Sequence, residues 1–308
     1  MATPALPAAR QPQPQRRRST RARVREALTG YAFIAPNLIV FGLFMFLPLI
    51  GVFVDSTKES AGFGPSEYVG LDNYTQLLSD STFWRSLINT IGYAAVSLPL
   101  ALGAGLGMAI LLNRKMPMRG LFRTIYFVPT VISALAAGTV ARWMFNENIG
   151  VVNKVLGTIG IGAIDWQSNG AAAAIAVIAV TLWARVGVYM VVFLAALQSI
   201  PRESYEASAV DGASTWQQFR HVTLPGLRFS IIFLAVYGLI ESFQVFDLVY
   251  VMTSGGPGDS TNVLGLYAYQ TAFQTRERGL GAAIGVVLLA LLALASLVLL
   301  VLNRRSDD

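Results

Sequence analysis

The sequence lacks cysteine altogether and contains a single histidine, His221. Disulfide bonds and cysteine metal sites are therefore excluded, and neither a histidine metal site nor a catalytic histidine pair is expected. Charged residues are also scarce, at 13% of the chain, whereas a soluble domain carries about 25%. This deficit argues against a soluble enzyme with an ordinary charged surface.

Apolar residues take their place, at 54% of the chain, and they gather into six long runs. A helix needs roughly 20 apolar residues to cross a bilayer, and helix is expected because lipid offers the backbone no hydrogen-bond partner. The sequence therefore predicts an all-α membrane protein with six transmembrane helices. The predicted spans are Phe33–Val54, Leu87–Leu112, Ile125–Trp143, Ala171–Leu197, Phe229–Met252 and Gly281–Leu302.

Lysine and arginine are concentrated in alternate loops. Of the 23 present, sixteen lie in the two terminal tails, the loop after the second span and the loop before the fifth. Six lie in the other loops, counting Arg142 at the end of the third span with the loop that follows it, and Arg185 lies deep within a span. The positive-inside rule then predicts that both termini are cytoplasmic. It also assigns the net charge of +6 to membrane topology rather than to nucleic-acid binding. We predict a basic disordered tail over 1–30, the transmembrane domain over 31–302 and a cytoplasmic tail over 303–308.

The loop before the fifth span, residues 199–227, is too polar for lipid and is patterned as a short helix–turn–helix. A proline suits the first position of a helix, Asp-Gly favours a turn, and S-x-x-Q is typical of a capping box. These signals are, in chain order, Pro201, the turn Asp211-Gly212, the box from Ser214 to Gln217, and Pro225 at the predicted end of the second helix.

Apart from Arg142 at the very end of the third span, three ionisable residues lie inside predicted spans: Arg185, Glu241 and Asp247. Such groups are costly in lipid, at about 2.5–3.5 kcal/mol on insertion scales, so they are expected to face the bundle or an aqueous path. Arg185 lies twelve residues before the end of the fourth span, and Glu241 lies twelve residues after the start of the fifth. At 1.5 Å per residue both lie about 18 Å from the same membrane face.

Polar and aromatic neighbours share the helix faces of these charges. Together they predict a polar lining that would suit a sugar, whose hydroxyls bind charged or amide groups and whose apolar faces pack on aromatic rings. Two roles stay open for the charged residues: direct contact with the substrate, and an ion pair that only holds the helices together. The predicted substrate-pathway residues are Thr181, Arg185, Tyr189, Tyr237, Glu241, Ser242, Gln244 and Asp247.

The hairpin carries a family pattern. Glu206-Ala207-Ser208, then Gly212, then Val222-Thr223-Leu224-Pro225 resembles the EAA loop of ABC importer permeases, with serine and valine at positions that are alanine and isoleucine in that pattern. Thr253-Ser254-Gly255-Gly256-Pro257 resembles the T-x-G-G-P loop of the first of the two permeases in sugar importers. The resemblance covers most of residues 30–302.

The resemblance implies the type I permease fold of ABC importers and a place in a bacterial plasma membrane. It also implies four kinds of partner: a second, related permease, ATP-binding subunits in two copies, an extracellular sugar-binding protein and the lipid bilayer. ATP and magnesium would then be bound by the partner ATPase, and this chain would bind no cofactor or metal. The hairpin residues expected to couple to the ATPase are Tyr205, Glu206, Ala207, Ser208, Asp211, Gly212, Ala213, Leu224 and Pro225.

The expected substrate is a sugar, such as trehalose or a maltose-like glucoside, because the chain looks most similar to trehalose importer permeases of actinobacteria. No G-x-x-x-x-G-K-[ST] phosphate loop occurs, so the chain is expected to be a transporter subunit and not an enzyme. Three alternatives stay open. They are an ABC permease for glycerol phosphate or another solute, a proton-coupled transporter using Glu241 and Asp247, and a membrane signalling or scaffold protein that uses the hairpin for docking.

Overall fold

A computed structural model describes residues 20–59, 66–114 and 117–304. The predicted tails fall largely outside these ranges. Helix α1 begins at Thr20, so residues 20–30, predicted to belong to a disordered tail, are helical. The chain divides into two compact units, one up to Gly51 and the other from Val52 onward.

The first unit contains α1 (Thr20–Phe41), which includes Pro36. A π-helical turn follows over Gly42–Phe46, and the chain then enters α2 (Leu47–Asp55). The large apolar residues of this unit are exposed, among them Phe33 and Phe44. A helix of this length that is apolar all round is typical of a segment surrounded by lipid.

The second unit starts with a short hairpin and a long helix. Strands β1 (Lys58–Glu59) and β2 (Glu67–Tyr68) pair antiparallel, and α3 (Asp72–Ser79) leads into the 33-residue helix α4 (Ser81–Asn113). Asp80 caps α4, because its carboxylate accepts a hydrogen bond from the backbone N–H of Thr82 at 2.8 Å.

The third predicted span is not one straight helix. It consists of α5 (Arg119–Phe127), a 3-10 turn over Val128–Val131, and α6 (Ala134–Met144). The two parts meet at 98°. Pro129 has no backbone N–H to continue the α-helical ladder, and a 3-10 turn follows α5. The direction changes at Ile132 and Ser133, where ψ is 134° and 135°.

After α7 (Val151–Thr158) the chain enters α8 (Gly170–Ser199), a 30-residue helix capped by Asn169. The predicted hairpin follows as a series of short elements. These are α9 (Arg202–Val210), α10 (Thr215–Gln218), a π-helical turn over Phe219–Thr223, and α11 (Leu224–Gly226). The capping box from Ser214 to Gln217 forms as predicted. The helical segment Thr215–Gly226 ends one residue after Pro225, close to the predicted end.

The fifth predicted span, Phe229–Met252, is also broken. Helix α12 (Arg228–Phe243) ends nine residues earlier than predicted, and α13 (Asp247–Met252) is separate from it. The expectation of one helix was wrong because tertiary packing holds Val245 and Phe246 at the break: Val245 is buried in the core, and the ring of Phe246 packs against that of Tyr269. The chain ends with α14 (Leu264–Tyr269), a π-helical turn over Gln270–Gln274, and α15 (Arg278–Arg304).

Within the described ranges, four helical segments are long and apolar enough to cross a membrane, and two bent pairs raise the number to six. The single spans are Leu28–Asp55, Ser81–Asn113, Gly170–Ser199 and Arg278–Val301; the bent pairs are Arg119–Val131 with Ala134–Met144 and Thr215–Gly226 with Arg228–Phe243. The four single spans correspond to the first, second, fourth and sixth predicted spans.

Helices α4 and α8 form the centre of the second unit. Gly105 on α4 faces Cβ of Tyr189 on α8, so the two backbones approach closely. Gly187 on α8 similarly faces the backbone at Tyr126 and Phe127. Small residues at such crossings let helices pack by dispersion in a membrane, where apolar burial alone gives no advantage over lipid.

Candidate functional site

A cavity of about 220 Å³ lies in the interior of the second unit, among α4, α8, α12, α13 and the α5–α6 break. Its polar lining combines groups of both charges with hydroxyl and amide groups. Six of the eight predicted substrate-pathway residues line it: Thr181, Arg185, Tyr237, Glu241, Gln244 and Asp247.

An ion pair crosses this cavity. Arg185 Nη1 on α8 bonds to Glu241 Oε2 on α12, and about a third of each side chain is exposed. The pair forms because the two residues lie at the same depth on neighbouring helices. Asp247 has no ion-pair or hydrogen-bond partner among the residues that the structure describes. The three ionisable groups therefore give the lining one uncompensated carboxylate when all are charged.

Two predicted pathway residues lie elsewhere. Tyr189 is 3% exposed and packs between helices, with its hydroxyl against Gly238. Ser242 is buried, and its hydroxyl lies 3.3 Å from that of Ser97 on α4. The i, i+4 spacing predicts that Tyr189 shares a helix face with Arg185. One turn beyond Arg185, however, the side chain of Tyr189 packs against Gly238 of α12 and does not line the cavity. Both residues join helices rather than line the cavity.

The lining also includes residues that the sequence analysis missed. Tyr93 on α4 is one wall, and its hydroxyl is 2.8 Å from that of Thr181. Pro129 and Thr130 contribute another wall from the α5–α6 break, and Phe246 a third from the α12–α13 break. Tyr93, a polar aromatic group within a predicted span, was a signal that could have been used, and Pro129 marked the first break; the second break gave no such signal.

The hairpin forms a compact and exposed projection. The Tyr205 hydroxyl on the first arm is 3.0 Å from that of Thr223 on the second, and the turn closes by the Ala213 N–H bonding to the Ser208 carbonyl at 2.9 Å. Gly212 adopts φ +78° at the turn, a geometry that glycine tolerates best. All nine predicted coupling residues lie in this projection: Tyr205, Glu206, Ala207 and Ser208 on α9, Asp211, Gly212 and Ala213 in the turn, and Leu224 and Pro225 on α11.

The segment just after the T-x-G-G-P-like loop is hydrogen-bonded to α4. The Asn89 amide donates to the backbone carbonyls of Asp259 and Asn262 at 2.8 and 2.9 Å, and the Leu264 N–H donates to the Thr90 hydroxyl at 2.9 Å. These bonds join the connection after α13 to the N-terminal part of α4. One wall of the cavity is therefore fixed relative to another.

The connection between α6 and α8 is ordered around Glu147. Its carboxylate accepts hydrogen bonds from the backbone N–H groups of Gln167 and Ser168 and from the Ser168 hydroxyl. The Ser168 hydroxyl, followed by the Gln167 backbone, lowers the pKa of Glu147 below its ordinary value of 4.5. The carboxylate thus joins the two ends of this connection.

We expect acid to loosen this connection through Glu147. Because the folded pKa is lowered, the stabilisation is present above the unfolded value near 4.5 and is lost as pH falls through the folded value. A spin label at Ile161 should gain mobility as pH falls from 7 to 3. In Glu147→Gln its mobility should already be raised at pH 7 and change little with pH; an equal acid response in both proteins would contradict this role.

Among the described residues, no cluster of three or more histidine, cysteine, aspartate or glutamate side chains is arranged to hold a metal. The chemistry that the cavity offers is hydrogen bonding and charge, contributed by helices that a membrane would surround.

Comparison with known proteins identifies the family. The family model for "Binding-protein-dependent transport system inner membrane component" matches residues 99–308. The chain belongs to this family. It is an ABC importer permease.

Curated relatives match this permease over nearly their whole length. The trehalose/maltose transport system permease protein MalF of Thermococcus litoralis is 32% identical, covering 94% of this chain and 98% of the relative. The arabinooligosaccharides transport system permease protein AraP of Bacillus subtilis is 34% identical, covering 89% and 88%. The sulfoquinovosyl glycerol transport system permease protein SmoG of Agrobacterium fabrum is 34% identical, covering 92% of each.

A solved structure shares the permease fold. A chain of a bacterial ABC transporter that imports the acidic polysaccharide alginate superposes with a TM-score of 0.81 at 24% identity, covering 93% of this chain and 99% of that one. At this identity the likeness shows the fold alone, which is the type I permease fold expected from the sequence.

Proposed function

We propose that this chain is the first permease subunit of a sugar importer and that the sugar crosses the membrane through the cavity around Arg185 and Glu241. The observation that carries the proposal is the convergence of charged, amide and phenolic groups from three spans on one cavity. A second permease would complete the path, and an extracellular binding protein would deliver the sugar, in keeping with the family description.

The lining suits a sugar by its chemistry. Arginine and carboxylate groups form strong, directional hydrogen bonds with hydroxyls, the Gln244 amide both donates and accepts, and Tyr93, Tyr237 and Phe246 present aromatic surface to an apolar sugar face. Relatives named for maltose, trehalose and arabino-oligosaccharides support the same substrate class.

The charge of the lining favours a neutral sugar. Arg185 is paired with Glu241, and Asp247 adds a carboxylate without a partner among the residues described. An anionic substrate such as glycerol phosphate would meet this negative charge in surroundings of low dielectric, where repulsion is strong. We therefore propose a neutral disaccharide, such as trehalose or a maltose-like glucoside, as the substrate.

ATP hydrolysis belongs, in this proposal, to two ATP-binding partner subunits, which would bind ATP and magnesium. The hairpin would dock on one of them, with Glu206 at the contact and Gly212 at the turn. Both arms are connected to membrane helices, α8 on one side and α12 on the other, so a movement of the ATPase would reach the cavity walls. The complex would lie in a bacterial plasma membrane with the hairpin on the cytoplasmic side.

Replacing Glu206 by Lys and Gly212 by Asp together should release the ATPase. Both residues are exposed, and aspartate tolerates positive φ better than most residues, so the change should affect the docking surface more than the fold. Purification of the complex from membranes should recover the second permease with both proteins but the ATPase only with the parent chain. ATP hydrolysis per complex should fall at least tenfold.

Glu67→Lys is the matched control, because Glu67 is exposed in β2 and lies outside the helical hairpin formed by residues 199–227. The complex that carries this variant should retain the ATPase. Uptake of labelled trehalose, maltose and glycerol phosphate by the parent complex then tests the substrate class, and the two neutral sugars should be preferred. If the parent chain recovers no ATPase, the docking role is wrong. Preferred uptake of glycerol phosphate would refute the neutral-sugar assignment.

A further inference from the structure

A second and larger cavity lies at the base of the hairpin, well away from the sugar cavity along α8. This hairpin crevice has a volume of about 570 Å³. It lies between the end of α4 and the two arms of the hairpin. Its lining residues are Ile110, Asn113, Arg114, Leu197, Tyr205, Thr215, Trp216, Gln218, Phe219 and Thr223.

The crevice lining contains one cation, Arg114. Arg114 follows the last residue of α4, is exposed, and forms no ion pair among the residues described. Arg119 and Arg123 follow within nine residues on α5, and they too are unpaired within the described ranges. Three arginines therefore follow one another closely in sequence from the end of α4, and Arg114 is the one that lines the crevice. The end of a transmembrane helix is at the level of lipid phosphates.

The interior of the crevice is apolar. Leu197 is 5% exposed at its floor, Ile110 forms a side, and Phe219 stacks on Trp216 with ring centroids 5.4 Å apart. Trp216 itself is 67% exposed. Tryptophan is enriched at the membrane–water boundary, where its ring meets both chain and headgroup.

A cation at the mouth of an apolar slot, beside an exposed tryptophan, is complementary to one kind of molecule: an amphiphile with a negative headgroup. The positive-inside rule accounts for arginine in this loop, but it requires neither an apolar crevice behind the charge nor a tryptophan beside it. Basic pockets between transmembrane helices are known sites for anionic lipid headgroups.

We propose that the hairpin crevice binds an anionic phospholipid, with its phosphate on Arg114 and part of an acyl chain against Ile110, Leu197 and Phe219. The lipid would fill the gap between α4 and the hairpin and so hold the hairpin at a fixed angle to the bundle. Its effect on ATP hydrolysis rests on the proposed docking of the hairpin to an ATPase; the binding itself does not.

The test uses the complete importer in nanodiscs made of phosphatidylcholine with a fraction of phosphatidylglycerol. Native mass spectrometry of the released complex should show phosphatidylglycerol retained by the parent. Retention should fall at least fivefold in Arg114→Gln and in Trp216→Ala. Arg142→Gln, which removes an exposed cation at the end of α6, is the matched control and should retain the lipid like the parent.

A photoreactive residue in place of Trp216 reports the occupant directly. Cross-linking to phosphatidylglycerol supports the proposal, whereas cross-linking to the ATPase alone shows that a protein surface fills the crevice and overturns it. Equal lipid retention in Arg114→Gln and the parent overturns it as well. The ATPase content of the same samples is scored separately, so that loss of the docking role would leave the lipid result interpretable.

Discussion

Replacing Arg185 by Met is expected to reduce sugar uptake by about one to two orders of magnitude. The substitution leaves the Glu241 carboxylate without its ion-pair partner in the cavity. Loss of a hydrogen bond to a charged group costs about 1.5–3 kcal/mol, and each 1.4 kcal/mol corresponds to a factor of ten. Because both side chains are partly exposed, water moderates the effect, and we expect the complex to assemble.

The kinetics distinguish the two roles that the sequence left open for Arg185. If the guanidinium binds sugar, Arg185→Met should lower uptake per assembled complex, and the double variant Arg185→Met, Glu241→Met should not restore it. If the pair only joins α8 to α12, the double variant should recover both assembly and uptake, since removing both charges relieves the unpaired carboxylate. Normal assembly with normal uptake in the single variant would eliminate the substrate role.

Replacing Gly187 by Val is expected to disrupt the bundle itself. A Cβ atom at this position would meet the Tyr126 carbonyl oxygen and would lie 3.0 Å from Cα of Phe127. Both are backbone atoms at the end of α5, which cannot move aside as a side chain can. Overpacking of this kind typically costs 1–3 kcal/mol, so the thermal midpoint of the purified complex should fall by several degrees.

The effect should also reach the sugar cavity, because the displaced segment leads directly into Pro129 and Thr130 in its wall. The matched control is Gly107→Val in α4, where an added Cβ meets no atom within 4 Å. A thermal midpoint for Gly187→Val equal to that of the control would show that the α5–α8 contact is looser than the structure indicates.

Most of the fold could be predicted, because the lengths of apolar runs are a direct physical requirement of the bilayer. The C-terminal ends of α4 and α8 were predicted to within a few residues. The breaks in the third and fifth spans were not predicted. Pro129 was a usable signal for the first, whereas the second depends on the burial of Val245 and the packing of Phe246 against Tyr269, which arise only when helices have packed.

The candidate site shows the same division. Depth along a helix can be counted from the sequence, and it correctly placed Arg185 beside Glu241. The rotation of a helix about its own axis depends on its neighbours, and for that reason Tyr189 and Ser242 lie against other helices instead of the cavity. Tyr93 enters the lining from α4, whose position beside α8 no local pattern encodes.

The gap between α12 and α13 means that the two helices of this span need not move together. A force applied at the hairpin passes along α12 as far as Phe243, beyond which the backbone is no longer a rigid rod. Helix α13 is anchored separately, through Val249 and Met252 in the core. Gln244 lies between the two helices and lines the cavity, so a change in the angle of α12 relative to α13 would change the width of the cavity.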